Sequence, residues 1–199
     1  MNNTKLTLDY YNEKAKDFCQ NTLNANMGEF QKLFLNLIPK GGKILDLGCG
    51  SGRDSKAFKL AGYNVTALDG SKELCKAASE FIGQDVICST FQEYQTDERF
   101  DGIWACASLL HLNENDMIEV IKRLSSNLTP SGCWYISLKC EDFEGVRNGR
   151  YFKSMTQEAF IEFVKLLPEL TLKSVTISTD VRPNRENEKW INAFLIKKG

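Results

Sequence analysis

Residues Lys43 to Ser55 read KILDLGCGSGRDS, an apolar run carrying one acid (Asp46), then glycines at 48, 50 and 52, then polar, helix-compatible residues from Arg53 onward. The pattern is strand, glycine loop, helix. Glycine lets the chain turn tightly there and lets a ligand approach the bare backbone. The start of the following helix aims N–H groups at the loop, which suits a carboxylate or a ribose oxygen, and Arg53 and Asp54 lie in its first turn. The dinucleotide fingerprint G-x-G-x-x-G, counted from Gly48, requires glycine at position 53, where Arg53 stands. Asp46 gains nothing from two phosphates and suits a ligand with a positive group. Asp69 follows Gly48 by 21 residues, at the end of a second apolar strand. An acid there can accept hydrogen bonds from both hydroxyls of an adenosine ribose. It could instead open a turn or cap the next helix, a role that Ser71, two residues on past Gly70, is suited to fill.

His111 is the only histidine and therefore the only side chain whose ordinary pKa suits a base near neutrality. A structural role stays open for it as well. The seven cysteines are odd in number and include no C-x-x-C pair. With one histidine they give no zinc spacing and imply reduced thiols, so no metal is expected.

Asp46, Gly48, Gly50 and Gly52 resemble, position by position, motif I of the class I S-adenosylmethionine (SAM)-dependent methyltransferases. The resemblance implies SAM as cofactor, S-adenosylhomocysteine (SAH) as product, and a cofactor contact by the loop including Cys49. It also implies that residues 1–28 form a lid, with Tyr11 and then Phe18 as candidates to cover the cofactor. In that family an aspartate after the third strand contacts the adenine amino group, and the next residue offers its backbone N–H. Thr90 and Phe91 stand at those positions here, so the acid is missing. Phe100-Asp101-Gly102-Ile103 is similar to the start of the motif IV region, and Ala105, Cys106 and Ala107 beyond it are small enough to leave room for a ligand. Gly52-Arg53-Asp54-Ser55 is similar in part to the tellurite-resistance type of small methyltransferase.

The elements that must hold these residues follow from periodicity. A helix is expected over about 8–20. A second should bury Phe30, Leu33, Phe34 and Leu37, and a third should span 51–61 and stop at Gly62. Another runs from Ser71 to Ile82, and one after Asn113 carries Met117, Val120, Ile121, Leu124 and Leu128 and ends at Pro130-Ser131-Gly132. A fifth strand (133–140) precedes an insertion (141–155) and a helix over 156–167 that turns Phe160, Ile161 and Val164 inward. The last two strands (171–179, with Val175 and Ile177 on one face, and 190–196) are joined with no room for a crossover helix, so the last must be antiparallel. The expected fold is thus α/β: a Rossmann-like, doubly wound, seven-stranded sheet in the family's order 3-2-1-4-5-7-6, last strand antiparallel, helices on both faces. One domain over 1–199 is expected.

Ligands of open α/β sheets lie at the carboxyl ends of the strands. That places Lys139, Arg147, Arg150, Tyr151 and Arg182 on the acceptor side, in a rim completed by Tyr11, His111, Arg185 and Trp190. The net charge of −1 and pI near 6.0 weigh against nucleic acid as partner, and a short chain in which no nucleic-acid-binding or protein-recognition module is expected favours a small-molecule acceptor. The N-terminus lacks an apolar signal segment, and no stretch is long and apolar enough to span a membrane, so a cytoplasmic protein is expected. Two alternatives stay open: an RNA-modifying methyltransferase, and a non-catalytic module that binds SAM or NAD.

Overall fold

The computed structural model describes residues 3–199. Helices α1 (Asn3–Glu13), α2 (Ala15–Thr22) and α3 (Gly28–Leu35) precede β1 (Lys43–Leu47), α4 (Arg53–Leu60), β2 (Asn64–Asp69), α5 (Lys72–Ile82), β3 (Ile87–Cys88) and β4 (Phe100–Cys106). A 3-10 turn (Leu109–His111) leads to α6 (Glu114–Ser126), β5 (Leu128–Lys139), β6 (Glu144–Arg147), β7 (Arg150–Lys153), α7 (Gln157–Val164), β8 (Leu170–Thr179) and β9 (Lys189–Lys197). Seven strands form one sheet in the order β3-β2-β1-β4-β5-β9-β8, and β6 and β7 form a separate hairpin. The first five strands pair in parallel, whereas β9 runs antiparallel to both neighbours. With the hairpin left out of the count, this is the expected order.

Alternation along the strands divides the core in two. Leu45, Leu47, Ile103, Ala105, Trp134 and Ile136 pack with α6 and α7 on one face. Ile44, Trp104, Tyr135 and Phe194 meet Phe34 and Phe58 of α3 and α4 on the other. There the Trp104 and Tyr135 rings stack 3.8 Å apart. Asp46 alternates with Leu45 and Leu47, so its side chain points under α4 and not along the strand toward the ligand end.

Several local expectations needed correction. The N-terminal helix is two helices, broken at Lys14 (φ −105°, ψ 15°). Leu33 is 46 % exposed, and Ile38 joins Phe34 in the core in its place. Leu128 does not extend α6 but opens β5, because Phe100 N–H donates to Asn127 O and Phe100 pairs with Leu128. Residues 129–132 consequently belong to that strand. In α7 the Thr156 hydroxyl accepts from Ala159 N–H, and this start turns Phe160, Phe163 and Val164 inward while Ile161 stays half-buried. Ile177 is exposed because β8 is the sheet edge.

Gly102 shows how tightly the α3 side is packed. A Cβ there would lie 2.4 Å from Phe34 Cζ, and Phe34 is fully buried against Phe58 and Trp104. Gly102→Ala is therefore expected to destabilise the protein by about 1–3 kcal/mol through overpacking. Urea unfolding measures this, and an unchanged midpoint would contradict the packing.

Candidate active site

A cavity of about 610 Å³ opens at the carboxyl ends of β1, β2, β4 and β5, between the glycine turn, the β6–β7 hairpin and the β8–β9 connection, with α1 and α2 across its mouth. The turn is pinned from below, since Gly48 N–H and Cys49 N–H both donate to Leu68 O at 2.8 and 2.9 Å. Gly48, Gly50 and Gly52 all have positive φ, which glycine adopts without strain. Close neighbours forbid a side chain as well. A Cβ would lie 2.5 Å from Ser108 Cβ at Gly48, 2.9 Å from the Phe18 ring at Gly50 and 2.7 Å from Leu8 at Gly70. The N-terminal helices thus rest directly on the turn. Gly52 is different: it makes room for Ile82 and Ala78 of α5 and does not line the cavity.

Three buried carboxylates surround this turn, and each has a different fate. Asp69 Oδ2 accepts from Gly50 N–H and Oδ1 from Ser71 N–H, both at 2.9 Å, while the side chain lines the cavity. Burial pushes its pKa up and these backbone N–H groups restrain the rise. Asp54 accepts two hydrogen bonds from Arg53 (2.8 and 2.7 Å), one from Trp104 Nε1 (2.9 Å) and one from Gln31 (2.7 Å). Burial alone would raise its pKa, but the Arg53 charge and these donors reverse that and hold it below the ordinary value. Asp46 lies away from the cavity, 2 % exposed, accepting from Ser55 Oγ at 2.6 Å. Burial, then repulsion from Asp54, raises its pKa well above the carboxylate range. The structure therefore does not offer Asp46 to a cationic ligand, as its place in the strand had suggested.

The structure brings Tyr11, Cys49, Gly50, Arg53, Asp54, Asp69, Gly70, Thr90 and Phe91 to the cavity wall together with Gly48. Three other expected residues are elsewhere. Ser71 is buried, caps α5 by accepting from Leu74 N–H and donates to Asn12 of α1. Ala105 is fully buried in β4, and Tyr151 turns its hydroxyl to Glu144 (2.7 Å). Thr90 Oγ1 is engaged in its own turn, donating to Glu93 at 2.7 Å.

On the acceptor side most cations already have partners. Lys139 pairs with Glu188, Arg147 with Glu141 (2.9 Å), Arg182 with Asp180 and Arg185 with Glu188 (3.3 Å). These acids, Glu141 in the β5–β6 connection and Asp180 and Glu188 in the β8–β9 connection, were missed in the sequence. Ser108 was missed too: it is 5 % exposed, lines the cavity beside Gly48, and its Oγ has no hydrogen-bond partner among the described residues.

His111 is half-buried and bonded at both nitrogens. Tyr151 O is a carbonyl and can only accept, so Nδ1 carries the proton and donates to it at 2.7 Å. Nε2 is then an acceptor, and the Tyr11 hydroxyl, 2.9 Å away, donates to it. Burial lowers the His111 pKa to about 4. The ring is therefore neutral at pH 7 and a weak base, with its Nε2 lone pair directed at the Tyr11 hydroxyl.

Comparison with known proteins agrees with this geometry. Residues 44–132 match a family model described as a methyltransferase domain. The Bacillus subtilis methyltransferase-family protein YqeM is 33 % identical over 102 residues, which cover 48 % of this chain and 41 % of that protein. This chain spans roughly two to three fifths of the length of curated relatives that it matches. Among solved structures, the Burkholderia thailandensis 1,6-didemethyltoxoflavin-N1-methyltransferase, crystallised with SAH, superposes with a TM-score of 0.75 at 19 % identity, covering 96 % of this chain and 85 % of that one. TehB from Haemophilus influenzae gives 0.68 at 20 % identity, covering 96 % and 67 %. The fold is that of the class I SAM-dependent methyltransferases.

The low His111 pKa has a consequence for stability. Between pH 6.5 and 4 the unfolded chain binds a proton at this side chain and the native chain does not, so stability falls as pH drops through that window. Going from pH 7 to pH 5, this residue should cost about 2 kcal/mol. His111→Asn should remove that share of the slope, and urea unfolding of both proteins at the two pH values gives the difference. Equal slopes would contradict the burial of a neutral imidazole.

Proposed function

We propose that this chain, with its methyltransferase domain over 44–132, transfers the methyl group of SAM to a small-molecule acceptor. The observation that carries the reading is that the glycine turn and Asp69 wall the same cavity as Tyr11 and His111. Adenosine recognition and a proton acceptor thus share one enclosed space. When bound, SAM supplies a methyl group already activated by its sulfonium.

The chain's own groups divide the remaining work. Asp69 takes the ribose hydroxyls with the acceptor capacity that its two backbone N–H partners leave free. The backbone of the turn from Gly48 to Ser51 and the unpartnered Ser108 hydroxyl hold the amino-acid end, and Phe91, with the backbone at Thr90, flanks the base. The N-terminal segment expected over 1–28, of which residues 3–28 are described, acts as the lid, Tyr11 and Phe18 excluding water from the reacting atoms. Holding the acceptor against the methyl group is the main catalytic task. Where the acceptor must lose a proton, Tyr11 relays it to His111 Nε2.

The ion-paired rim cations weigh against the RNA alternative, which needs a continuous basic face. A cytoplasmic setting belongs to this reading, since all seven cysteines are free thiols. The test is incubation with methyl-labelled SAM, a metabolite extract and total RNA. Label is expected in the small-molecule fraction. Label in RNA would favour the alternative, and SAM binding with no transfer to either fraction would favour a non-catalytic module.

A further inference from the structure

Five arginines line the cavity, and four of them already hold a carboxylate: Arg53 with Asp54, Arg147 with Glu141, Arg182 with Asp180 and Arg185 with Glu188. Arg150 has no carboxylate partner among the described residues. Its guanidinium packs instead against three rings, with Cζ 4.4 Å from the Tyr10 centroid, 5.0 Å from Phe152 and 5.6 Å from Tyr11. Among the described residues its one hydrogen bond runs from Nη1 to the Tyr11 hydroxyl at 3.3 Å, and buried Nε has no partner. Ring faces compensate a half-buried cation only in part. Lys189, on the same rim, is exposed and solvated.

The unbonded edge, Nε with Nη2, is the edge this chain uses elsewhere to grip a carboxylate. Arg53 Nε and Nη2 donate to Asp54 Oδ1 and Oδ2, and Arg182 does the same to Asp180. A planar fork matches a carboxylate with two parallel hydrogen bonds. We propose that Arg150 is the anchor for a carboxylate on the methyl acceptor, and that this carboxylate sits beside an aromatic or similarly flat apolar body. The body follows from the lining, where Phe18, Phe91, Phe152 and Trp190 supply the apolar walls. A single negative charge fits better than a phosphate dianion, because Glu141, Asp180 and Glu188 also line the cavity and no second unpaired guanidinium stands there. Nε is shielded by the rings, so the second contact of the fork forms as α1, which carries Tyr10 and Tyr11, gives way.

The inference rests on the methyltransferase reading only in calling this ligand the acceptor. The test is titration calorimetry of the full chain, with and without SAH, using benzoate, phenylacetate and indole-3-acetate, each against its neutral amide. At least one carboxylate is expected to bind about tenfold tighter than its amide, a preference that Arg150→Gln removes and Arg150→Lys keeps in part. SAH affinity should stay within about twofold in both variants, which also shows that they fold. Absence of any carboxylate preference, or a preference that survives in Arg150→Gln, overturns the proposal. So does a parallel loss of SAH affinity, which would make the cofactor's own carboxylate the partner of Arg150. If SAH fails to bind the unsubstituted protein, the methyltransferase reading falls, and the titrations without SAH still decide the role of Arg150.

Discussion

At the end of β2 one carboxylate fastens two strand ends together. Asp69 accepts from Gly50 N–H on the β1 side and from Ser71 N–H at the start of α5, and with the Leu68 carbonyl it fixes the turn on which α1 and α2 rest. Three buried acids crowd this region with a single guanidinium, Arg53. A buried ionised carboxylate is costly unless it is paired or hydrogen-bonded. The three acids meet that cost in three ways: Asp54 takes the cation and two further side-chain donors, Asp46 is driven toward its protonated form, and Asp69 relies on backbone N–H groups. Only Asp69 combines unused acceptor capacity with a place on the cavity wall.

The opposite end of the cavity obeys the same constraint with the charges reversed. Lys139 and Arg147 flank the segment that delivers Glu141, and Arg182 and Arg185 share the β8–β9 connection with Asp180 and Glu188, so most of the rim is neutralised by its own acids. Arg150 departs from that pattern because the hairpin places it against Tyr10 and Tyr11 of α1 and Phe152 of β7. Tyr11 links the two ends: its proton is directed at His111, its oxygen faces Arg150, and burial keeps the phenol protonated by raising its pKa.

What could be read from the sequence was what local geometry decides. The turn of three glycines, the caps at Ser71 and Asn113, and the antiparallel last strand follow from spacing within short segments, and the structure has them. Asp46 misled because its spacing to Gly48 says nothing about which face of β1 it occupies, and that face lies under α4. Tyr151 contributes a backbone carbonyl to His111, which no side-chain pattern announces. The acids that neutralise the rim lie 6, 49, 2 and 3 residues from their cations, so only some of the pairs could have been found by local spacing. Ser108 owes its importance to the missing Cβ of Gly48, a contact across two strand ends that only the fold creates.

The central claim is that this cavity recognises SAM through the glycine turn and Asp69, and calorimetric titration of the protein with SAH and with NAD tests it most directly. The account predicts that SAH binds and NAD does not, and that Asp69→Asn weakens SAH by about 1.5–3 kcal/mol, the range for hydrogen bonds to a charged group. Binding of NAD without SAH, or SAH affinity unchanged in a folded Asp69→Asn protein, would contradict it.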